Sequence, residues 1–195
     1  MVNTVIAQAL LTSGRCIVPD FLDAATVQLL RADSQDLQLA KRFIQAGIGK
    51  GKTHVKNDQI RKDSISWLDE GGANATQAHL FTKLAALKLA LNRELLLGIS
   101  SFEGHYAFYS AGGFYKRHLD SFRSDDSRIV TVVLYLNDDW KIADGGMLRL
   151  YTDPASLDVS PTGGTLACFL SRELEHEVLV SHKSRLTFTG WFKTS

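Results

Sequence analysis

Two histidines, an aspartate and an arginine define the chemistry this chain can do. His118-Leu119-Asp120 sets an imidazole and a carboxylate two residues apart; His176-Glu177-Val178 lies far downstream, and Arg185 follows nine residues after that histidine. Two neutral imidazoles and an ionised carboxylate on a shared face hold a divalent iron and leave three coordination positions open. A guanidinium nearby clamps a dicarboxylic acid by its far end. That combination suits an iron site in which a keto-diacid and oxygen meet. A zinc hydrolase would use similar ligands; Arg185 together with the closing run Thr189-Gly190-Trp191-Phe192 favours iron with a keto acid. The far carboxylate needs a cation and hydroxyls, for which Arg185, Tyr135 and Thr187 or Thr189 are candidates. Tyr135 can equally be a cross-strand filler.

Bulk properties set the frame for these residues. With 195 residues and 45% hydrophobic content, the chain can bury one real core, and we expect a single domain over residues 1–195. A net charge of +1 offers no bulk field for nucleic acid or an anionic membrane. Cys16 and Cys168, each in an apolar run, read as buried free thiols in a reducing cytoplasm. Met1 to Leu11 lacks a basic n-region, so a signal peptide is not expected, and no apolar run reaches membrane-spanning length.

The elements that must position the site are legible as a change of texture. Asp23 is placed to cap a helix through Val27, Leu30 and Leu37, and a second helix is expected over roughly Ala75 to Leu97 on the spacing of Leu80, Phe81, Leu84, Leu87, Leu91 and Leu95. From Gly104 onward short β-rich runs follow: Tyr106–Tyr109, Ile129–Leu136, Met147–Tyr151, Thr165–Leu170, Glu177–Val180 and Arg185–Phe192, separated by Gly/Asp turns. The expected fold is mostly β, a jelly roll over roughly 104–193, with helical support over roughly 20–100. His118 and Asp120, two apart on an extended segment, should share a face. The Gly47 to Lys52 run is a flexible basic loop or a lid, not a phosphate-binding loop, because it lacks the Gly-Lys-Ser/Thr ending.

Longer segments carry a family resemblance: Arg15-Cys16-Ile17-Val18-Pro19-Asp20-Phe21-Leu22, Asp58 through Trp67, Tyr109 through Asp120, Tyr135 through Trp140, Gly145 through Tyr151, and His176 through Phe192. Over residues 14 to 193 the chain resembles the prolyl-hydroxylase branch of the Fe(II)/2-oxoglutarate-dependent oxygenases, particularly the hypoxia-sensing prolyl hydroxylases and their bacterial relatives. The resemblance implies a double-stranded β-helix and peptidyl-prolyl 4-hydroxylation with O2. It implies Fe(II) and 2-oxoglutarate as cofactor and cosubstrate, with ascorbate as a stimulant, and a proline-containing protein substrate such as elongation factor Tu. It assigns iron to His118, Asp120 and His176. The 2-oxoglutarate carboxylate falls to Arg185 and Tyr135, cosubstrate contacts also to Tyr109, Thr187 and Trp191, and the substrate-lining wall to Tyr115, Arg128 and Trp191. Asp63 and Arg128 match positions that pair ionically in relatives, and Gly47 to Val55 matches a substrate-covering loop. Lys62 stands where relatives have Gly, the Tyr109 to His118 segment is one residue shorter than in the hypoxia sensors, and a C-terminal substrate-gripping extension is not expected, because the chain stops four residues after Trp191.

Two other functions remain open on the residues alone: the same oxidation of a free amino acid or other small molecule, and a non-catalytic sensor of iron or 2-oxoglutarate. His54, His79 and His182 read as surface or turn residues, His105 as a satisfied strand residue, and Trp67 and Trp140 as packing. Arg123, Arg128, Arg149 and Arg172 read as surface or ion-paired charges.

Overall fold

The computed structural model describes residues 2–47, 55–121 and 127–195. Three α-helices among these residues, α1 (Val2–Ser13), α2 (Ala24–Leu39) and α3 (Ala75–Leu95), pack on one face of a seven-stranded antiparallel sheet. That sheet runs in the order β1 (Arg15–Val18), β9 (Leu166–Leu170), β6 (Arg128–Tyr135), β11 (Arg185–Lys193), β4 (Ser101–Tyr109), β3 (Ser64–Leu68) and β2 (Ile44–Gln45). A four-stranded sheet, β5 (Tyr115–His118), β10 (His176–Val178), β7 (Leu148–Leu150) and β8 (Leu157–Val159), closes over its other face. The result is the jelly-roll architecture expected, a double-stranded β-helix backed by helices.

Strand alternation divides the sequence between the two faces. Tyr106, Val130, Val132, Leu134, Leu166, Cys168, Phe188 and Phe192 point to the helices, where Ile6, Leu10, Leu30, Leu80, Leu84, Leu87 and Leu91 meet them. The helix starts follow capping chemistry: the Asp23 carboxylate accepts from the Thr26 N–H at 2.7 Å and the Asn74 side chain from that of Gln77 at 2.9 Å. Neighbouring residues on the same strands, including Ile65, Ala107, Tyr109, Val133, Tyr135 and Phe169, face the small sheet.

Several elements escape the sequence pattern. Helix α1 forms although Asn3, Thr4 and Gln8 interrupt its apolar run, because Ile6, Ala7 and Leu10 still share one buried face. The region read as helical support also contributes β2 and β3 to the large sheet. β2 and β8 are two and three residues long, too short for a period to register. The expected Asp63–Arg128 pair is not formed. Asp63 takes the guanidinium of Arg61, two residues away on the same face, at 2.6 and 2.8 Å, while Arg128 reaches Glu103 at 2.8 Å. No helix among the described residues is long and apolar enough to cross a membrane. The expected lid and His54 fall largely on residues 48–54, and Arg123 on 122–126, outside the described residues.

Candidate metal centre and cosubstrate cavity

β5 and β10 are antiparallel neighbours with His118 directly opposite His176, so the small sheet alone brings the two imidazoles together. Asp120 lies just past the end of β5, in a bend rather than on the extended strand expected. The possible ligand atoms of His118, Asp120 and His176 all lie within 4.8 Å of one another. Asp120 Oδ1 is 3.6 Å from His118 Nε2, and Oδ2 is 3.4 Å from His176 Nε2.

The surroundings fix which atoms face inward. His118 Nδ1 is 2.7 Å from the Lys116 carbonyl and His176 Nδ1 is 3.1 Å from that of Leu174. Each contact favours the N–H on Nδ1 and leaves the Nε2 lone pair free for a metal. Burial, opposed in part by Asp120, pushes His176 down to about 4, which keeps it neutral. Burial works against ionising Asp120, but the two histidines outweigh it and hold the carboxyl below its usual range. Thr131 donates to Asp120 Oδ2 at 2.8 Å and lies 2.8 Å from the Ser171 hydroxyl, with both hydroxyl residues fully buried. A carboxylate cannot donate, so this chain has one direction, Ser171 to Thr131 to Asp120. Behind the histidines, Tyr115 stacks on His118 at 3.6 Å, Arg61 covers Tyr115 at 4.3 Å, and Phe169 meets His176 edge-on at 4.7 Å.

The ligand set opens into a cavity of about 480 Å³ between the sheets. Its floor is a grid set by strand register. Tyr109 lies opposite Arg185; Ala107 opposite Thr187, itself opposite Tyr135; Trp67, His105, Thr189 and Val133 form the next row; Glu103, Trp191 and Thr131 the last. Arg185 is 1% exposed, and among the described residues no acid pairs with it. Its Nε and Nη2 have no hydrogen-bond partner, nor has the Tyr135 hydroxyl. The guanidinium carbon sits 5.0 Å from the Tyr109 ring centre and 5.4 Å from that of Tyr135. A buried, uncompensated cation is expensive, so this corner is built for an anion. Burial raises Tyr135 to about 12, against the pull of Arg185, and the phenol stays a donor. Close by, Gly146 is required: at φ +65° an added Cβ would stand 2.8 Å from Ser181 Oγ and 3.1 Å from Arg185 Cδ.

Every residue read as a site candidate is thus drawn to one region, although in different layers. Tyr109, Tyr115, Arg128, Arg185 and Trp191 line the cavity, whereas Tyr135 and Thr187 are fully buried in its floor. Arg128 lies over the Trp191 ring at 3.6 Å. Two readings change. Trp67 is not a packing residue but stands 49% exposed at the mouth. His105 is not satisfied: its Nδ1 is buried without a partner. Arg61 and Thr131 were not anticipated. Counting back in fours from Tyr109 and Tyr135, along one face of each strand, finds His105 and Thr131.

The donors present fit the metal and cosubstrate that such a site takes: two Nε2 lone pairs, one carboxylate, and a distant buried cation with a phenol. Residues 104–193 match the family model of the 2OG-Fe(II) oxygenase superfamily. The chain is 38% identical to a Pseudomonas putida prolyl-4-hydroxylase, with a TM-score of 0.88 and 99% of each chain covered. It is 27% identical to a Trichoplax adhaerens prolyl hydroxylase solved with a hypoxia inducible factor peptide fragment, with a TM-score of 0.87 over 98% of this chain and 89% of that one. Human Egl nine homolog 1 is 30% identical over 190 residues, which is 92% of this chain and 43% of that protein. The chain spans about half the length of the mammalian relatives it matches. It belongs to the 2OG-Fe(II) oxygenase superfamily, and His118, Asp120 and His176 form a ligand set that fits the iron of that family.

Proposed function

We propose that this protein hydroxylates a prolyl residue in a protein substrate. The observation that carries the reading is a metal-ligand set and buried anion corner opening to a wide apolar mouth, where Ile44, Trp67 and Leu119 stand exposed. Such a rim suits a peptide segment more than a small polar molecule. The likeness to the Pseudomonas putida prolyl-4-hydroxylase, end to end, supports it.

In this reading His118, Asp120 and His176 hold iron. Arg185 takes the far carboxylate of 2-oxoglutarate as a charged fork, and Tyr135, with Thr187 beside it, donates a further hydrogen bond. When bound, iron and 2-oxoglutarate supply the oxidation: O2 is consumed, succinate and carbon dioxide leave, and one oxygen atom enters a substrate C–H bond. The protein's work is positioning. Asp120 is a ligand and not a general base, because Thr131 already occupies Oδ2 and both histidines face the carboxylate. Tyr109, Tyr115 and Trp191 wall the reacting space against water. Arg128, held by Glu103 and stacked on Trp191, lies on the substrate side. A translation factor such as elongation factor Tu is the substrate to try first.

The test is to incubate the protein with Fe(II), 2-oxoglutarate, oxygen and synthetic proline-containing peptides, then follow succinate and product mass together. The expected result is the mass gain of one oxygen atom on proline, matched by succinate. Oxygen gain on free amino acids alone, with peptides untouched, overturns the prolyl assignment.

A further inference from the structure

His105 is an unpaired polar group set in an aromatic wall. It is 4% exposed and lines the cavity, with the Trp67 ring 4.7 Å away edge-on and the Trp191 ring 5.3 Å away. Its Nδ1 is buried without a partner, and neither ring nitrogen makes a hydrogen bond. Native interiors rarely leave a buried polar atom unsatisfied, because the lost hydration is not recovered. Nδ1 is sealed off, but Nε2, equally unpaired, keeps accessible surface, so the partner it lacks is one that the cavity can supply.

Position decides which ligand. Along β4, His105 is four residues from Tyr109, the residue opposite Arg185, so at about 3.3 Å per residue it lies roughly 13 Å from the anion corner. A keto-diacid clamped at Arg185 is too short for that span. On the other side His105 touches Trp67, which stands half-exposed at the mouth. The charges nearby agree: Arg61 bears on both His105 and Tyr109, but Arg128 and Asp120 bear on His105 alone of the two, whereas Arg185 bears on Tyr109 and Tyr135 and not on His105. Burial, with Arg61 and Arg128, pushes the imidazole down to about 3, so it stays neutral with one N–H donor and one acceptor.

We propose that His105 is a specificity-determining residue, donating a hydrogen bond to the main-chain carbonyl of a peptide that enters between Trp67 and Trp191. The chemistry fits a prolyl segment, since an X–Pro bond keeps its carbonyl but has no N–H to offer. The assignment rests on the prolyl reading above and goes one residue further.

The test compares wild type, His105→Phe, which keeps a flat ring without the donor, and His105→Asn, which restores one. The probe is whichever synthetic proline-containing peptide the wild type hydroxylates best. In His105→Phe the peptide KM should rise about tenfold, the loss of one buried hydrogen bond. Its kcat and 2-oxoglutarate affinity should stay within about twofold. His105→Asn should recover part of the KM. Should the phenylalanine variant not fold, His105→Leu makes the same comparison. An unchanged peptide KM, or a change confined to 2-oxoglutarate affinity, overturns the role of His105. A wild-type protein that oxidises no peptide sinks the prolyl reading, and this assignment with it, before any variant is made.

Discussion

The large sheet has two faces made of the same strands, and they treat polar groups in opposite ways. On the helix face the buried phenol of Tyr106 donates to Asp33 at 2.8 Å, and Gln77 donates to the same carboxylate at 3.0 Å. On the cavity face His105, Tyr135, Arg185 and Trp191 carry buried nitrogens or oxygens with no partner; among the described residues only Ser34 does so on the helix side. Apart from Ser34, one face completes its own hydrogen bonding and supplies stability. The other leaves these groups without partners that a bound cosubstrate and substrate would provide, and the two can be perturbed separately.

The largest effect should come from the metal ligands. Asp120→Ala removes the only carboxylate of the ligand set and takes away the acceptor that orients the Thr131 hydroxyl. Iron-dependent succinate formation should be abolished and anaerobic Fe(II) or Co(II) binding lost. Circular dichroism should be unchanged, because the helix-facing core is untouched. Retained turnover would show that the centre lies elsewhere.

Arginines on the cavity side sharpen the contrast further. Arg61 is buried against Asp63, whereas Arg185 is buried alone. Asp63→Ala strands a charge and should lower unfolding stability by about 3–5 kcal/mol. Arg185→Met removes a charge that was already stranded. In urea titrations the ligand-free protein should be no less stable than wild type, while 2-oxoglutarate binding weakens by about 1.5–3 kcal/mol. A destabilised ligand-free Arg185→Met protein would mean that some internal partner had satisfied the guanidinium after all.

Between these lies Thr131→Val, close in shape but lacking the hydroxyl. It frees Asp120 Oδ2 and severs the chain to Ser171. Metal affinity should fall about tenfold, the low end of what losing a group that orients a metal ligand costs. Isothermal titration with Co(II) reads it directly. Unchanged affinity would reduce the hydroxyl chain to packing.

How far the sequence reveals this division depends on range. Helices α2 and α3 were legible because caps and apolar spacing are local, as with Asp23 and the leucines from Leu80 to Leu91. His118, Asp120, His176 and Arg185 were legible as a set only because their residue types are unusual together; their convergence is made by sheet register, which no local pattern carries. His105 was misread for the same reason. A histidine on a strand looks alike whether its neighbour is a serine or two tryptophans, and Trp67 and Trp191 arrive from strands distant in sequence. Arg61 outcompetes Arg128 for Asp63 because two residues along an extended chain already share a face.

The smallest effect belongs outside both faces. Arg149 on β7 grips Asp158 on β8 with bonds of 2.7 and 2.8 Å, a geometry as good as that of Arg61 with Asp63. Both partners, however, are about a third exposed. Water already solvates each charge, salt screens the attraction, and no buried group is orphaned when the pair is lost. Arg149→Ala should therefore change unfolding stability by less than about 1 kcal/mol. Turnover should be unaltered. Equal geometry with unequal consequence isolates burial as the cause, and a loss at Arg149 comparable to that in Asp63→Ala would show that geometry, not burial, governs these pairs.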